Sequence, residues 1–449
     1  MKSIKTNKEG PKGTLLAGNL IDFRKDPLHF LNDLRLNYER VAKIRFANRQ
    51  IYMLMSPDLI KEALVTKSAS FEKSKAFKEI NPLVGEGLLT SEGEFHLRQR
   101  RMMQPSFKKT HIKLYADQMS KVAIAAIEEW QVDEERNLHA DMMNIALGII
   151  SKTMFSMDMK ESHQTIGAPI DEAIRIATKR IRSLMKIPKA IPTKENQQFK
   201  ESLRILNEVV YGIISHRREA NDAANYDDLL GILMKATDET DHTHMTDKQL
   251  RDEVMTIFLA GHETTANAMS WALYLLAQHP DIQANAQTEI DQVVGDSQIR
   301  IEHTEQLTYL RNVINETLRL YPPAWMFGRE ATCDVQIGEN LVKAGQNVMV
   351  SPYITHRLEE YYQDPNIFQP ERFEKDFLRS IPTYAFFPFG GGPRVCIGNH
   401  FAMLEATIVL ATVLQKYTVS PIRPNQKVEA EPLITLRPKG GVVLRVVRR

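Results

Sequence analysis

Cysteine is nearly absent: the 449 residues hold two, Cys333 and Cys396. Two thiols exclude a disulfide framework, and no C-x-x-C pair exists for zinc or dithiol chemistry, so a reducing, intracellular setting is expected. Long apolar runs are missing as well. The basic start MKSIKTNKEGPKGTLLAGNL lacks the roughly 7–15 apolar residues of a signal peptide and the roughly 20 of a bilayer span, so we expect a cytoplasmic protein without a membrane anchor. Charge of one sign is also wanting. A formal net charge of +2 gives no global reason to bind nucleic acid, so any charged partner must be met by a local patch. Repeats, low-complexity tracts and linkers are absent too, which predicts one large domain over residues 1–449.

What is present is helical periodicity. A β-richer part to about residue 70, a helical body from about 71 to 330 and a mixed β and loop region from about 331 to 449 predict a mainly α fold with small β-sheets. VAKIRF and IYMLMS flank Ala47-Asn48-Arg49-Gln50 and predict a β-hairpin. Thr246 to Gln278 is one periodic stretch of about nine turns, stopped by His279-Pro280. Asp252, Glu253, His262 and Glu263 interrupt it too often for a bilayer span, so it should cross a large water-soluble core. A second helix is expected from about Thr304 to Leu320, with Leu307, Leu310, Ile314 and Leu318 on one face and Pro322-Pro323 beyond it. DVQIG and QNVMVSP follow as short strands.

Cys396 stands in FPFGGGPRVCIGNHFAMLEA, just before a run with helical spacing at Phe401, Leu404, Ile408 and Thr412. The unpaired N–H groups and dipole of a helix start favour thiolate, the form that ligates metals. Gly390 to Gly392 allow a tight turn and the close approach of something flat. A lone thiol would still read as a structural cysteine, or as a nucleophile served by His400. The spacing Phe389-x-x-Gly392-x-Arg394-x-Cys396-x-Gly398 decides between them.

It resembles the haem-binding loop of the cytochromes P-450, the haem-thiolate monooxygenases, a family in which cysteine ligates the haem. Glu316-Thr317-Leu318-Arg319 is similar to the family's E-x-x-R, and PERF supplies Arg372. Alone, an i,i+3 pair is a surface contact contributing ~0.2–0.5 kcal/mol; in this order the three residues resemble the family's buried Glu–Arg–Arg cluster. The resemblance covers nearly the whole chain. It implies the cytochrome P-450 fold, with haem b (iron protoporphyrin IX) between the long helix and the cysteine loop, and Cys396 as the metal ligand.

It also assigns Ala260-Gly261-His262-Glu263-Thr264-Thr265, midway along the long helix. Ala260 and Gly261 are small enough to leave room for O2 and substrate, Thr264 can bond the Ala260 carbonyl and hold a water, and Glu263 is the proton-relay acid. A back-bonded threonine and a salt-bridged glutamate are the plainer alternative. GEFHLRQRRMMQPSF is similar to the family's C helix: Arg100 matches a propionate-binding arginine, His96 stands where tryptophan is usual, Arg394 matches a second propionate contact and His356 is a weaker third.

The basic residues Arg98, Arg101, Lys108 and Lys109 are either a solvated face or the dock for an acidic ferredoxin or flavodoxin. The chain runs only about 50 residues past the cysteine, so electrons are expected from such a partner and its NAD(P)H-dependent reductase. By the family's pattern the substrate pocket would draw on Phe77, Ile80, Leu83 and Val84, on Phe258 and Ala260, on Ala324, Trp325, Met326 and Phe327, and on Leu433 and Ile434. An apolar pocket of this kind predicts insertion of one oxygen atom of O2 into a fatty acid, terpenoid or steroid-like molecule. A peroxide isomerase or peroxygenase and a non-catalytic gas sensor are the competing readings. Neither needs the Glu263-Thr264 pair.

Overall fold

Threonine and proline set the ends of the longest helix. In the computed structural model, which describes residues 10–131, 133–157, 166–182, 188, 190–219, 227–237 and 243–449, this helix runs Asp247–Gln278 behind the N-cap Thr246. The Thr246 hydroxyl accepts from the Gln249 N–H at 3.3 Å while the Gln249 side chain accepts from the Thr246 N–H at 2.8 Å, a reciprocal capping box. Pro280 then opens the next helix, Pro280–Val293. The first nine residues, and with them most of the basic lead-in, lie outside the described residues.

The described residues form two units. One comprises the chain up to Ala76 together with Asn315–Cys396 and Ile434–Leu436; the other comprises Phe77–Ile314, Ile397–Leu433 and Arg437–Arg449. The first is built on a five-stranded sheet. Its predicted hairpin forms from Val41–Phe46 and Arg49–Leu54, paired from Val41↔Leu54 to Phe46↔Arg49, so the second strand begins two residues earlier than expected. Arg49–Leu54 then pairs in parallel with Asn347–Val350, which pairs antiparallel with Phe327–Ala331, and Phe71–Lys73 closes the edge. One face packs Leu54, Ile60, Leu64, Phe71, Val350 and Phe387 into a core, as β-branched and aromatic residues on a half-buried sheet should. DVQIG contributes the small strand Val335–Ile337, paired with Asn340–Val342.

The second unit is helical, with one three-stranded sheet of Glu134–Asn137, Val443–Arg448 and Tyr417–Pro421. Asp247–Gln278 lies at its centre. Leu138–Phe155 packs along it, with the Phe155 and Phe258 rings 4.5 Å apart. Asn399–Lys416 follows the cysteine loop, and every residue from Glu405 to Leu414 is buried.

One expected element is two. The stretch Thr304 to Leu320 breaks at Leu307 into Ile301–Gln306 and Thr308–Leu320. The Glu289 carboxylate, from the preceding helix, accepts the N–H groups of Tyr309 and Leu310 at 2.7 and 2.9 Å and so caps a new helix start. Leu307, Leu310, Ile314 and Leu318 are all buried, so the apolar face continues through the break.

Candidate active site

Three glycines give the cysteine loop its path. Gly390 and Gly392 sit at φ +73° and +66°, and a Cβ on Gly392 would lie 1.9 Å from the Leu64 carbonyl oxygen. Any side chain there would displace backbone. The Cys396 N–H donates to the Phe389 carbonyl at 2.9 Å, and Val395 N–H to Gly392 at 3.0 Å, closing the loop on itself. Cys396 is exposed, Phe389, Arg394 and Gly398 are half-buried, and the helix begins at Asn399. Cys333 is exposed and reduced on its own loop.

Beneath this loop lies a fully paired charge cluster. Glu316 and Arg319 are completely buried, and the guanidinium grips both carboxylate oxygens at 2.6 and 2.8 Å. Its other N–H groups donate to the carbonyls of His356, Pro365 and Ile367 at 3.0, 2.6 and 3.2 Å. Glu316 also accepts the Gln369 N–H at 3.0 Å and, more loosely, Arg372 at 3.4 Å. All five Arg319 donors are used and both Glu316 oxygens accept, the condition under which a buried ion pair holds a fold rather than weakening it.

His356, expected as a weaker propionate contact, belongs to this scaffold. It is fully buried, lies tilted against Phe386 and edge-on to Phe387, and its Nε2 accepts the Phe387 N–H at 2.9 Å. Burial, with Arg319 and Arg357 nearby, holds its pKa well below the usual imidazole value, so it stays neutral.

On the central helix, burial picks out one spot. From Leu250 to Ala277 every residue is buried except Ala260, Gly261 and Thr264. Ala260 and Thr264 lie one turn apart and share a face, so between Leu250 and Ala277 the helix has an uncovered window there. Thr264 donates to the Ala260 carbonyl at 2.5 Å across it. Gly261 has a different reason from the one expected: its missing Cβ faces Ile150, whose Cδ1 would be 1.9 Å away, so glycine here lets Leu138–Phe155 approach.

Glu263 is buried and accepts both Nε and Nη2 of Arg437 on one oxygen, at 3.2 and 2.8 Å. Arg437 keeps 20% of its side chain exposed, so the pair reaches solvent. Asp171 shares the neighbourhood; burial raises its pKa to about 6, opposed by Arg437 and reinforced by Glu263. Burial and Arg437 lower His139 to about 4, and it bonds Ser270 at 3.1 Å. Arg437 and Asp171 carry no local signature, and sequence reading missed both.

His96 and Arg100 sit one turn apart on Gly93–Met103, the first buried and the second half-buried. Of the basic cluster, Arg101, Lys108 and Lys109 are exposed, whereas Arg98 is half-buried and donates to Thr243 at 2.5 Å. The expected pocket residues divide. Ile80, Leu83, Val84 and Phe258 are fully buried and the buried Trp325 stacks on Phe23. Phe77, Ala260, Met326, Phe327, Leu433 and Ile434 are half-buried and Ala324 is exposed.

An exposed thiol on a tight glycine loop fits a flat iron cofactor. The family profile described as Cytochrome P450 matches residues 9–445. The chain belongs to the cytochrome P450 family. It is therefore a haem-thiolate monooxygenase with haem b as cofactor. This P450 is 32% identical to cyclooctatin synthase of Streptomyces melanosporofaciens over 95% of its own chain and 92% of the relative. It is 30% identical to pentalenene oxygenase of Streptomyces avermitilis, over 98% and 97%. It is also 30% identical to cytochrome P450 4V2 of Homo sapiens, over 86% and 78%. Among the described residues no helix is long and apolar enough to cross a membrane.

Proposed function

We propose that this P450 acts as a single, soluble, bacterial-type haem domain that inserts one atom of O2 into a terpenoid-like hydrocarbon. Electrons come from a separate ferredoxin or flavodoxin and its NAD(P)H-dependent reductase. The observation that carries the reading is the uncovered turn at Ala260, Gly261 and Thr264, in a helix otherwise buried from Leu250 to Ala277. Fatty acids and steroid-like molecules suit the same apolar surface. Relatives named for pentalenene and cyclooctat-9-en-7-ol favour the terpenoid class.

In this reading Cys396 ligates the haem iron and Arg100, Arg394 and His96 hold its propionates, with Phe389 and the loop glycines shaping the seat. The bound haem supplies O2 binding and activation, and thiolate ligation favours O–O cleavage. The chain's own task is to deliver protons. Glu263, tethered by the partly exposed Arg437, takes a proton from solvent and passes it to the Thr264 hydroxyl, which turns from the Ala260 carbonyl to hold a water in the window. A gas sensor or peroxide isomerase has no use for that acid and alcohol. The deciding experiment is a difference-spectrum screen of terpenes, fatty acids and steroids for displacement of the iron's water ligand, followed by turnover with a surrogate ferredoxin system. A terpene that shifts the spectrum and gains one oxygen atom supports the proposal; oxygenation of fatty acids alone would sink the substrate class, and no oxygenation with reduced partner present would sink the reaction.

A further inference from the structure

The turn Gly85–Leu88 rests directly on the central helix. Gly85, at φ +61°, would place a Cβ 2.0 Å from the Asp252 carboxylate, and Gly87 would place one 2.2 Å from the Thr256 hydroxyl and 2.5 Å from the Asp252 carbonyl. Only glycine allows so close an approach. Two backbone N–H groups of the turn then find acceptors on the helix: Glu86 donates to Asp252 Oδ2 at 3.0 Å and Leu88 to Glu253 Oε2 at 2.9 Å. These are the turn's recorded ties to helical side chains.

Glu253 is the unusual member. It is completely buried, and its second oxygen, Oε1, has no hydrogen-bond partner. Asp252, by contrast, is neutralised by Arg251 at 2.9 Å and Lys248 at 3.0 Å. Glu253 also lies seven residues before Ala260 and eleven before Thr264, so all three fall on one stripe of the helix, the first ~10 Å from the second. The stripe is therefore covered at Glu253 and open at Ala260 and Thr264.

We infer that Glu253 is a positioning residue that latches the Gly85–Leu88 turn onto the central helix, making it the end wall of the open stripe and so a determinant of substrate length. The inference rests on the proposed reading of that stripe as the substrate side. The latch also orders the segment that carries Phe77, because Ile80, Leu83 and Val84 just before the turn are fully buried.

Burial raises the Glu253 pKa to about 8; the Leu88 N–H opposes this and Asp252 adds to it. Lys248 and Arg251 on its own helix and the Glu86 N–H on the turn all meet Asp252 rather than Glu253. The latched form thus keeps a proton that an opened, solvated carboxyl would lose above its ordinary value of 4.5. Latching is strongest at low pH, weakens as pH rises toward about 8, and levels off above it.

Hydrogen exchange on the full chain with haem bound tests the latch without any substrate. Glu253→Ala should speed exchange of the amides Glu86 to Ser91 about tenfold, the loss expected for one buried hydrogen bond, while Leu138–Phe155 keeps its protection. Glu253→Gln keeps a neutral acceptor for the Leu88 N–H and should protect as well as the wild type or better. Between about pH 5.5 and 7.5 the wild type should lose protection relative to this variant. The length role is read with two iron-binding probes, imidazole and 1-dodecylimidazole. Glu253→Ala should weaken the dodecyl probe about tenfold and imidazole less than twofold. Unchanged exchange in the alanine variant, or equal loss in alanine and glutamine variants, overturns the latch; faster exchange with an unchanged dodecyl affinity overturns the wall. If imidazole gives no spectral shift with wild-type protein, the haem reading fails instead, and the exchange result still decides the latch.

Discussion

Two clusters of buried charge, one in each unit, are handled differently. Around the cysteine loop, Glu316 and Arg319 are fully buried and satisfied by each other, by Arg372 and by a ring of carbonyls. In the helical unit three buried carboxyls, each on a different helix, are left short: burial raises Glu253 to about 8 and Asp171 to about 6, and pushes the fully buried Glu405 well above the usual carboxylate range. A saturated ion pair has nothing further to bind, so it suits a scaffold that must hold a ligand loop in one place. Carboxyls with raised pKa can hold or release a proton near neutral pH, which suits the proton supply proposed for this region.

The sharpest break falls on the cysteine. Cys396→His should abolish the reduced carbon-monoxide band that marks thiolate-ligated haem, measured on purified protein; a retained band would reassign the ligand. Next comes the scaffold. Glu316→Gln leaves the Arg319 charge buried without its counter-ion and should cost about 3 kcal/mol or more in denaturant unfolding. Arg372→Lys gives up the looser 3.4 Å contact to Glu316 and a 2.8 Å bond to the Gln363 carbonyl but keeps the charge, and should cost less, about 1–2 kcal/mol, so equal losses would deny that the cluster is centred on Arg319.

On the other side, Glu263→Gln should slow product formation about 100-fold with substrate binding intact, the scale of losing one general acid. Thr264→Ala should keep haem and substrate but divert reducing equivalents to hydrogen peroxide, read as product per NAD(P)H consumed. The smallest effect belongs to the basic surface. Lys108→Glu should slow reduction by an acidic ferredoxin a few-fold at low salt, and the difference should vanish near ~0.5 M salt, where screening is strong. A matching fall in peroxide-supported turnover would make that surface structural.

Legibility followed sequence distance. The ends of the central helix were readable because Thr246, Gln249 and Pro280 act within one turn of their own positions. The cysteine loop was readable for the same reason, since Gly390, Gly392 and Cys396 shape one local turn. The break at Leu307 was not. Its cause is Glu289, which reaches across from another helix while the apolar face runs on unbroken. Arg437 stands 174 residues from Glu263 and was equally invisible. The burial of Ile80, Leu83 and Val84 was not legible either, since they are apolar whether they meet a ligand or a core.

The parallel pairing of Arg49–Leu54 with Asn347–Val350 also dictates a waiting time. Each partner follows the residue it pairs with by 296 positions, as Val350 follows Leu54. A ribosome adding about 5–20 residues per second needs roughly 15–60 s to bring the second strand out after the first. Throughout that interval the hairpin presents the unpaired amides and carbonyls of Ile51–Leu54, a strand-edge template open to any other nascent chain. Yield in a heterologous host should therefore rise with holding chaperones and with slower, cooler synthesis in dilute culture, and depend far less on the strength of any contact in the finished molecule.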